Sequence, residues 1–408
     1  MAYNRRIVDD ELEHLMPQLA AIAIEGPKAI GKTETALQRA ATIHALDEPE
    51  QLALAQADPR RLLQGETPIL IDEWQFLPET WDLVRRAVDR DRRGGRFLLA
   101  GSASLPRRST HSGAGRIVSI RMRPLTLYER NIGEPTASLS DLLAGTHPEI
   151  TGATDVRLED YTREIVVSGF PAIRELEGRA LRAQLDGYIT RIVDRDFEEW
   201  GERKVRNPAA LRRWMTAYAA ASSTTTTFEK IRDAATSGDG ETPTKKATIP
   251  YRRTLEQLWI VDPVPGWLPT RNQIARLTTP PKHQLADPAL AARMLGVDAE
   301  ALLSATAAGP PIPRDGTLLG ALFESLVTLN VRVYAQKAEA VVKHCRTFSG
   351  DHEVDLIVER GDGRVVGIEI KLSQTIGDSD VRHLHWLRDK IGDDLLDAVI
   401  ITTGSAAY

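Results

Sequence analysis

Residues 26–33 read GPKAIGKT, an instance of G-x-x-x-x-G-K-[ST], set between the apolar run AAIAIE (20–25) and a stretch from Thr33 to Ala41 that suits a helix. A strand, a glycine-bearing loop and a helix in that order form an anion cradle. Glycines let main-chain N–H groups close around a phosphate, and the helix N-terminus favours the negative charge. Gly26, Pro27, Lys28, Ala29, Ile30 and Gly31 would line the cradle. Lys32 would supply a point charge to the β- and γ-oxygens, and Thr33 a hydroxyl to Mg²⁺. ATP with Mg²⁺ is the expected ligand pair.

The surroundings agree. PILID (68–72), RFLLAGS (96–102) and RIVSIRM (116–122) are apolar runs, the first two flanking the helix-like WDLVRRAVDRDRR. ATIHALD (41–47) suits either a strand or a helix end. Near-continuous apolar strands alternating with helices predict a buried parallel sheet in a βαβ layout over about residues 15–130. ILIDEWQ (69–75) then puts Asp72 and Glu73 at a strand's carboxyl end, where Asp72 would hold the ion and Glu73 would polarise the attacking water. Ser102 stands where a sensor of the γ-phosphate would lie, or is a turn serine of GSAS.

GPKAIGKT, ILIDEWQ, LLAGSAS and GRIVSIRMRPLTLYE (115–129) resemble a large prokaryotic family of AAA+-type ATPases with a C-terminal restriction-endonuclease-like domain of formerly unknown function. SGFPAI (168–173) and KHQLADPAL (282–290) look like that family's linking segments. The resemblance implies a homo-oligomer in which an arginine reaches a neighbour's γ-phosphate. Arg116, after the GAG turn, is the candidate, the alternative being a surface ion-pair arginine. The expected division is a P-loop ATPase core (1–135), a helical linking region (136–210), a winged-helix-like domain (211–275) and an α/β restriction-endonuclease-like domain (276–408).

In the last part, EVDLIVE (353–359), the turn RGDG and VVGIEIKLS (365–373) predict a hairpin. Period-2 geometry puts Glu369 and Lys371 on one face and brings Asp355 beside them. Two carboxylates and a lysine are the minimal kit for Mg²⁺-assisted phosphodiester cleavage, with Asp355 and Glu369 as metal ligands. Glu324, in FESLV, matches a helix glutamate that some such sites add. The same alternation also describes a half-exposed strand carrying a surface ion pair.

Between residues 201 and 256 there are eleven Lys/Arg against six Asp/Glu, in a chain whose net charge is −5. Helices around LRRWMTAYAAASS, FEKIRDAAT and IPYRRTLEQLWIV, ending in PVPGW, suit a basic winged helix. It would present Tyr251, Arg252 and Arg253 near the third helix's start to DNA. A solvated face pairing with the acidic remainder is the other reading. The lone cysteine, Cys345, excludes an intramolecular disulfide and a cysteine-ligated zinc site. No apolar run of 18 residues and no signal-peptide core occur, so a cytoplasmic protein without a membrane segment is expected.

Two functions stay open at this point. One is an ATP-hydrolysing, DNA-directed enzyme that gates a cleaving site. The other is a nucleotide-dependent switch or scaffold that binds DNA or a protein partner and cuts nothing. A protein-remodelling ATPase ranks last, because no aromatic–apolar pore-loop pair is evident.

Overall fold

The structure is a computed structural model and describes residues 3–102, 114–197, 207–236, 244–270, 272–304 and 318–408. Arg203, Lys204, Arg206, Glu202, Asp239 and Glu241 of the basic segment lie outside the described residues.

The N-terminal part holds α1 (Ile7–Leu15), β1 (Ala21–Glu25), α2 (Lys32–Leu37), β2 (Thr42–Ala45), α3 (Pro49–Ala57), β3 (Ile69–Asp72), α4 (Glu79–Arg90), β4 (Phe97–Gly101) and β5 (Val118–Arg121). All strand pairs are parallel and the order is β2-β3-β4-β1-β5. Every residue of β1, β3 and β4 is buried, as expected for strands covered on both faces. The ambiguous ATIHALD run contains a strand, β2, at the sheet's edge. In such sheets ligands sit outside the carboxyl ends of the strands, where the loops after β1, β3 and β4 meet.

A helical middle follows: α5 (Leu139–Ala144), the short β6 (Gly152–Ala153), α6 (Leu158–Val167), α7 (Pro171–Arg174) and α8 (Gly178–Arg191), which runs into a π-helical turn at Ile192–Asp196. Helices Pro208–Ala220, Phe228–Ala234 and Lys245–Gln257 come next. The third of these begins at Lys245, capped by Thr244, not near Ile249. Tyr251 is therefore mid-helix, and it is buried against Phe197 and Trp214 instead of facing outward. The PVPGW tail forms no hairpin of its own. Val261 and Val264 bridge antiparallel to Leu285 and Lys282, and β7 (Gly266–Trp267) joins the edge of the C-terminal sheet. The backbone groups of PVPGW are satisfied by those more distant partners.

The C-terminal sheet has the order β11-β10-β9-β8-β7, with β8 (Val341–Arg346), β9 (Glu353–Glu359), β10 (Val365–Ile370) and β11 (Leu395–Ile401). The β8–β9 and β9–β10 pairs are antiparallel, and β10–β11 and β7–β8 are parallel. β12 (Ala406–Ala407) returns to pair with β6. By length and composition the helix Leu318–Lys337 is apolar enough to cross a bilayer, yet its Leu322, Phe323, Leu326 and Val331 are buried in the protein core. That core is continuous. It runs from Ile24 and Leu98 of the first sheet, through Trp214 and Leu290, to Leu326, Val358 and Ile368 of the last.

Candidate functional site

The turn after β1 has little room. Gly26 has φ 155°, and a Cβ there would stand 2.3 Å from the carbonyl oxygen of Met122. Gly31, at φ 91°, is the left-handed residue that opens α2, and Ala29 sits at φ 66° without being glycine. Strain of this kind gathers where a loop is held in a working shape. The loop is held from outside as well. Arg6 donates to the Ile30 carbonyl at 2.9 Å and pairs with Glu129 at 2.9 Å. Lys28 pairs with Asp196 of the π-helical turn at 2.6 Å, and the Tyr188 hydroxyl donates to the Lys28 carbonyl at 3.2 Å.

Lys32 is buried and donates to the carbonyls of Gly26 (3.0 Å) and Pro27 (2.8 Å). Burial depresses its ammonium to about 8, against the pull of Glu73 and Asp72. The Thr33 hydroxyl lies 2.9 Å from Asp72 Oδ2, and burial lifts Asp72 to about 6. A hydroxyl beside a desolvated carboxylate is a hard-oxygen set that suits Mg²⁺, an ion that keeps most of its shell for water and phosphate. Thr33 and Asp72 would hold it, and when bound it would neutralise the β- and γ-oxygens.

Glu73 ends β3 in the left-handed region, at φ 48°, which turns its carboxylate toward the cavity. The Gln75 side-chain amide donates to it, and Ser102 Oγ lies 3.5 Å from its other oxygen. Together these residues open into a cavity of about 820 Å³. Arg130 and Arg174 also line it, both paired with Glu164 at 2.9 and 3.1 Å. Tyr3 and Asn4 rim it from the N-terminus. Arg116 is elsewhere, paired with Asp89 at 2.8 Å.

Sequence reasoning missed Arg6, Arg130 and Arg174. The last belongs to the SGFPAIR stretch, where the quoted SGFPAI was the signal. Arg6 left no trace in any local pattern.

The C-terminal residues also gather. Asp355 Oδ2 accepts from the Ile370 amide at 3.0 Å, Lys371 pairs with Glu369 at 3.0 Å, and burial pushes the Glu369 carboxyl up. The cation at their centre is one that sequence reasoning did not assign. Lys282 Nζ lies 2.8 Å from Glu324, 3.3 Å from Glu353 and 3.4 Å from Asp355. Among the described residues no three His, Cys, Asp or Glu side chains are arranged to hold a metal ion. Asp355 and Glu369, the expected metal pair, each have an ammonium neighbour, Lys282 at 3.4 Å and Lys371 at 3.0 Å.

In the middle, a second cavity of about 290 Å³ is lined by Trp214, Phe228, Arg232, Lys245, Arg252 and Arg253 among others. The Arg252 guanidinium lies 4.5 Å from the Phe228 ring centroid.

Residues 18–131 match a family model described as an AAA domain. Residues 158–301 and 319–408 match two others, each described as a domain of unknown function, DUF8612 and DUF4143. Two uncharacterized proteins, of Mycobacterium tuberculosis and Mycobacterium bovis, are each 28% identical over 382 residues, 92% of this chain and 75% of theirs. A solved structure, the Walker-type ATPase PABY2304 of Pyrococcus abyssi, is 14% identical with a TM-score of 0.40, covering 72% of this chain and 95% of that one. With the phosphate cradle in place, the AAA match makes the N-terminal part an AAA-like, ATP-binding P-loop ATPase core.

Proposed function

We propose that the chain is a Mg²⁺-dependent ATPase switch, in which ATP turnover acts on a DNA-binding middle domain and the restriction-endonuclease-like C-terminal domain cuts nothing. One observation carries this reading. The phosphate loop shares one cavity with Arg130 and with Arg174 of α7, the first element of the chain after the ATPase core that lines it. ATP would lie with its phosphates along the loop, and Lys32 would exchange the carbonyls of Gly26 and Pro27 for β- and γ-oxygens. Glu73 orients a water for attack on the γ-phosphorus, giving ADP and inorganic phosphate, while Ser102 and Gln75 hold its carboxylate. The contacts of Lys28 with Asp196 and Tyr188 offer the shortest route from loop to middle helices.

Turnover tests this directly. Glu73→Gln keeps nucleotide binding and lowers kcat on the order of 10²-fold or more. Unchanged hydrolysis would show that another group activates the water.

DNA binding rests on the cavity lined by Arg232, Lys245, Arg252 and Arg253 among three helices. Contacts of this kind go to phosphate, so affinity for duplex DNA should fall steeply between low and moderate salt. Flat salt dependence would overturn it. Association of copies through an arginine is also proposed, with Arg116 as the candidate once it leaves Asp89.

A cleaving enzyme is the second reading, favoured by the gathering of Asp355, Glu369 and Lys371. It requires Mg²⁺- or Mn²⁺-dependent nicking of plasmid by wild type that Asp355→Ala abolishes.

A further inference from the structure

The carboxylates of the C-terminal site come from three elements, Glu369 standing on β10. Glu324 stands on the helix Leu318–Lys337, and Glu353 and Asp355 stand on β9. Lys282 reaches them from the segment between the middle helices and this domain, and its side chain is 1% exposed. An ammonium has three N–H donors and here it has three carboxylate neighbours. The neighbouring oxygens are also engaged. Asp355 Oδ2 accepts from Ile370 N, Glu369 Oε2 from Lys371, and Glu353 Oε2 from Arg346 at 2.9 Å. Glu369 Oε1 is buried with no hydrogen-bond partner. An ion drawing on Glu324, Glu353 or Asp355 would compete with the Lys282 ammonium for their oxygens.

The lysine is not poised to swing clear. Its own N–H and C=O both pair with Val264, each at 2.9 Å, and the next residue, His283, donates its amide to the Thr224 carbonyl at 2.8 Å. Five residues on, Asp287 is buried and accepts from the Gly169 amide at 2.7 Å. Its charge faces Arg130, on the wall of the nucleotide cavity. The stretch from Lys282 to Asp287 is therefore seated in the C-terminal site at one end and against the ATPase wall at the other.

We infer that Lys282 is the resident cation of the C-terminal site, its ammonium standing where a divalent ion would otherwise bind, so that the cluster of Glu324, Glu353, Asp355 and Glu369 takes up no Mg²⁺ or Mn²⁺ while Lys282 is seated. This rests on the endonuclease-like reading of the C-terminal sheet and deepens it.

The test is Mn²⁺ uptake by the full chain without nucleotide, read from loss of the free-ion electron paramagnetic resonance signal. Asp72→Asn is carried in every arm to silence the phosphate site. With Lys282 intact no saturable uptake is expected. Adding Lys282→Gln should create one Mn²⁺ site, bound at least about tenfold tighter than in the intact arm. Adding Asp355→Asn to that should remove it. Uptake with Lys282 intact that Asp355→Asn abolishes would overturn the inference, as would no uptake by a folded Lys282→Gln protein. If Lys282→Gln does not fold, Lys282→Gln/Glu324→Gln removes one charge of each sign and serves the same comparison. Mn²⁺ held by the intact cluster without plasmid nicking would sink this inference and leave the non-cleaving switch standing, whereas nicking by wild type would sink the switch.

Discussion

Two regions of this molecule bring acids and a lysine together, and they differ in what the lysine touches. Beside the phosphate loop, Lys32 rests on two main-chain carbonyls, with Asp72 bonded to the next residue, Thr33, and Glu73 lining the same cavity of about 820 Å³. In the C-terminal sheet, Lys282 is within 3.4 Å of three carboxylates and is closed off from solvent. The first lysine is weakly held and exchangeable, and it waits for an anion. The second is a full partner in a buried ion cluster. Similar residue types thus make an open site in one place and a neutralised one in the other, and the charge left unmet decides which.

The largest effect that would break this comparison is on nucleotide binding. Lys32→Ala removes the buried ammonium that the loop would offer to the β- and γ-oxygens. Retention of labelled ATP should drop by at least about 100-fold, as for loss of a charged hydrogen-bond donor from a desolvated site. Binding within a few-fold of wild type would remove the cradle reading altogether.

A stability difference comes next. Lys282→Ala removes the ammonium that Glu324 and Asp355 share in the interior and should cost about 3–5 kcal/mol in denaturant unfolding. Lys32→Ala should cost far less, since Lys32 neutralises no ion pair in the resting loop. Equal losses would mean that the two lysines are held alike.

The smallest effect is with pH. Asp72 must be ionised to hold a divalent ion, and burial has raised it to about 6, so hydrolysis should fall as pH drops through that value. Lys32 must be charged to meet phosphate and has been lowered to about 8, so ATP affinity should weaken as pH rises past it. Measured kcat/KM for ATP should peak between the two. A flat profile across that range would show that neither group titrates in the working enzyme.

Much of the N-terminal site was legible in the residues themselves. GPKAIGKT and ILIDEWQ are contiguous, and each specifies a loop at the end of a buried strand, so local chemistry and local geometry coincide. The hairpin carrying Asp355, Glu369 and Lys371 was legible for the same reason, since a two-residue period fixes which side chains share a face. Tyr251 was misplaced because the helix begins at Lys245, which puts the tyrosine mid-helix and not in the first turn, and its ring packs against Phe197 and Trp214, a contact set by tertiary packing.

By itself the chain's sequence determined a parallel sheet with a phosphate loop at the carboxyl end of one buried strand, acids at the carboxyl end of another, and a hairpin with its carboxylates on one face. Each of those follows from residues close together along the chain. Only the tertiary structure decided that Arg130 and Arg174 wall the cavity, that Asp196 holds Lys28, and that Lys282 lies among Glu324, Glu353 and Asp355. Those contacts join residues up to 168 positions apart for the Lys28–Asp196 pair. No repeat or spacing can encode such a meeting, because it depends on how separate elements pack and on which charges burial forces to find a partner.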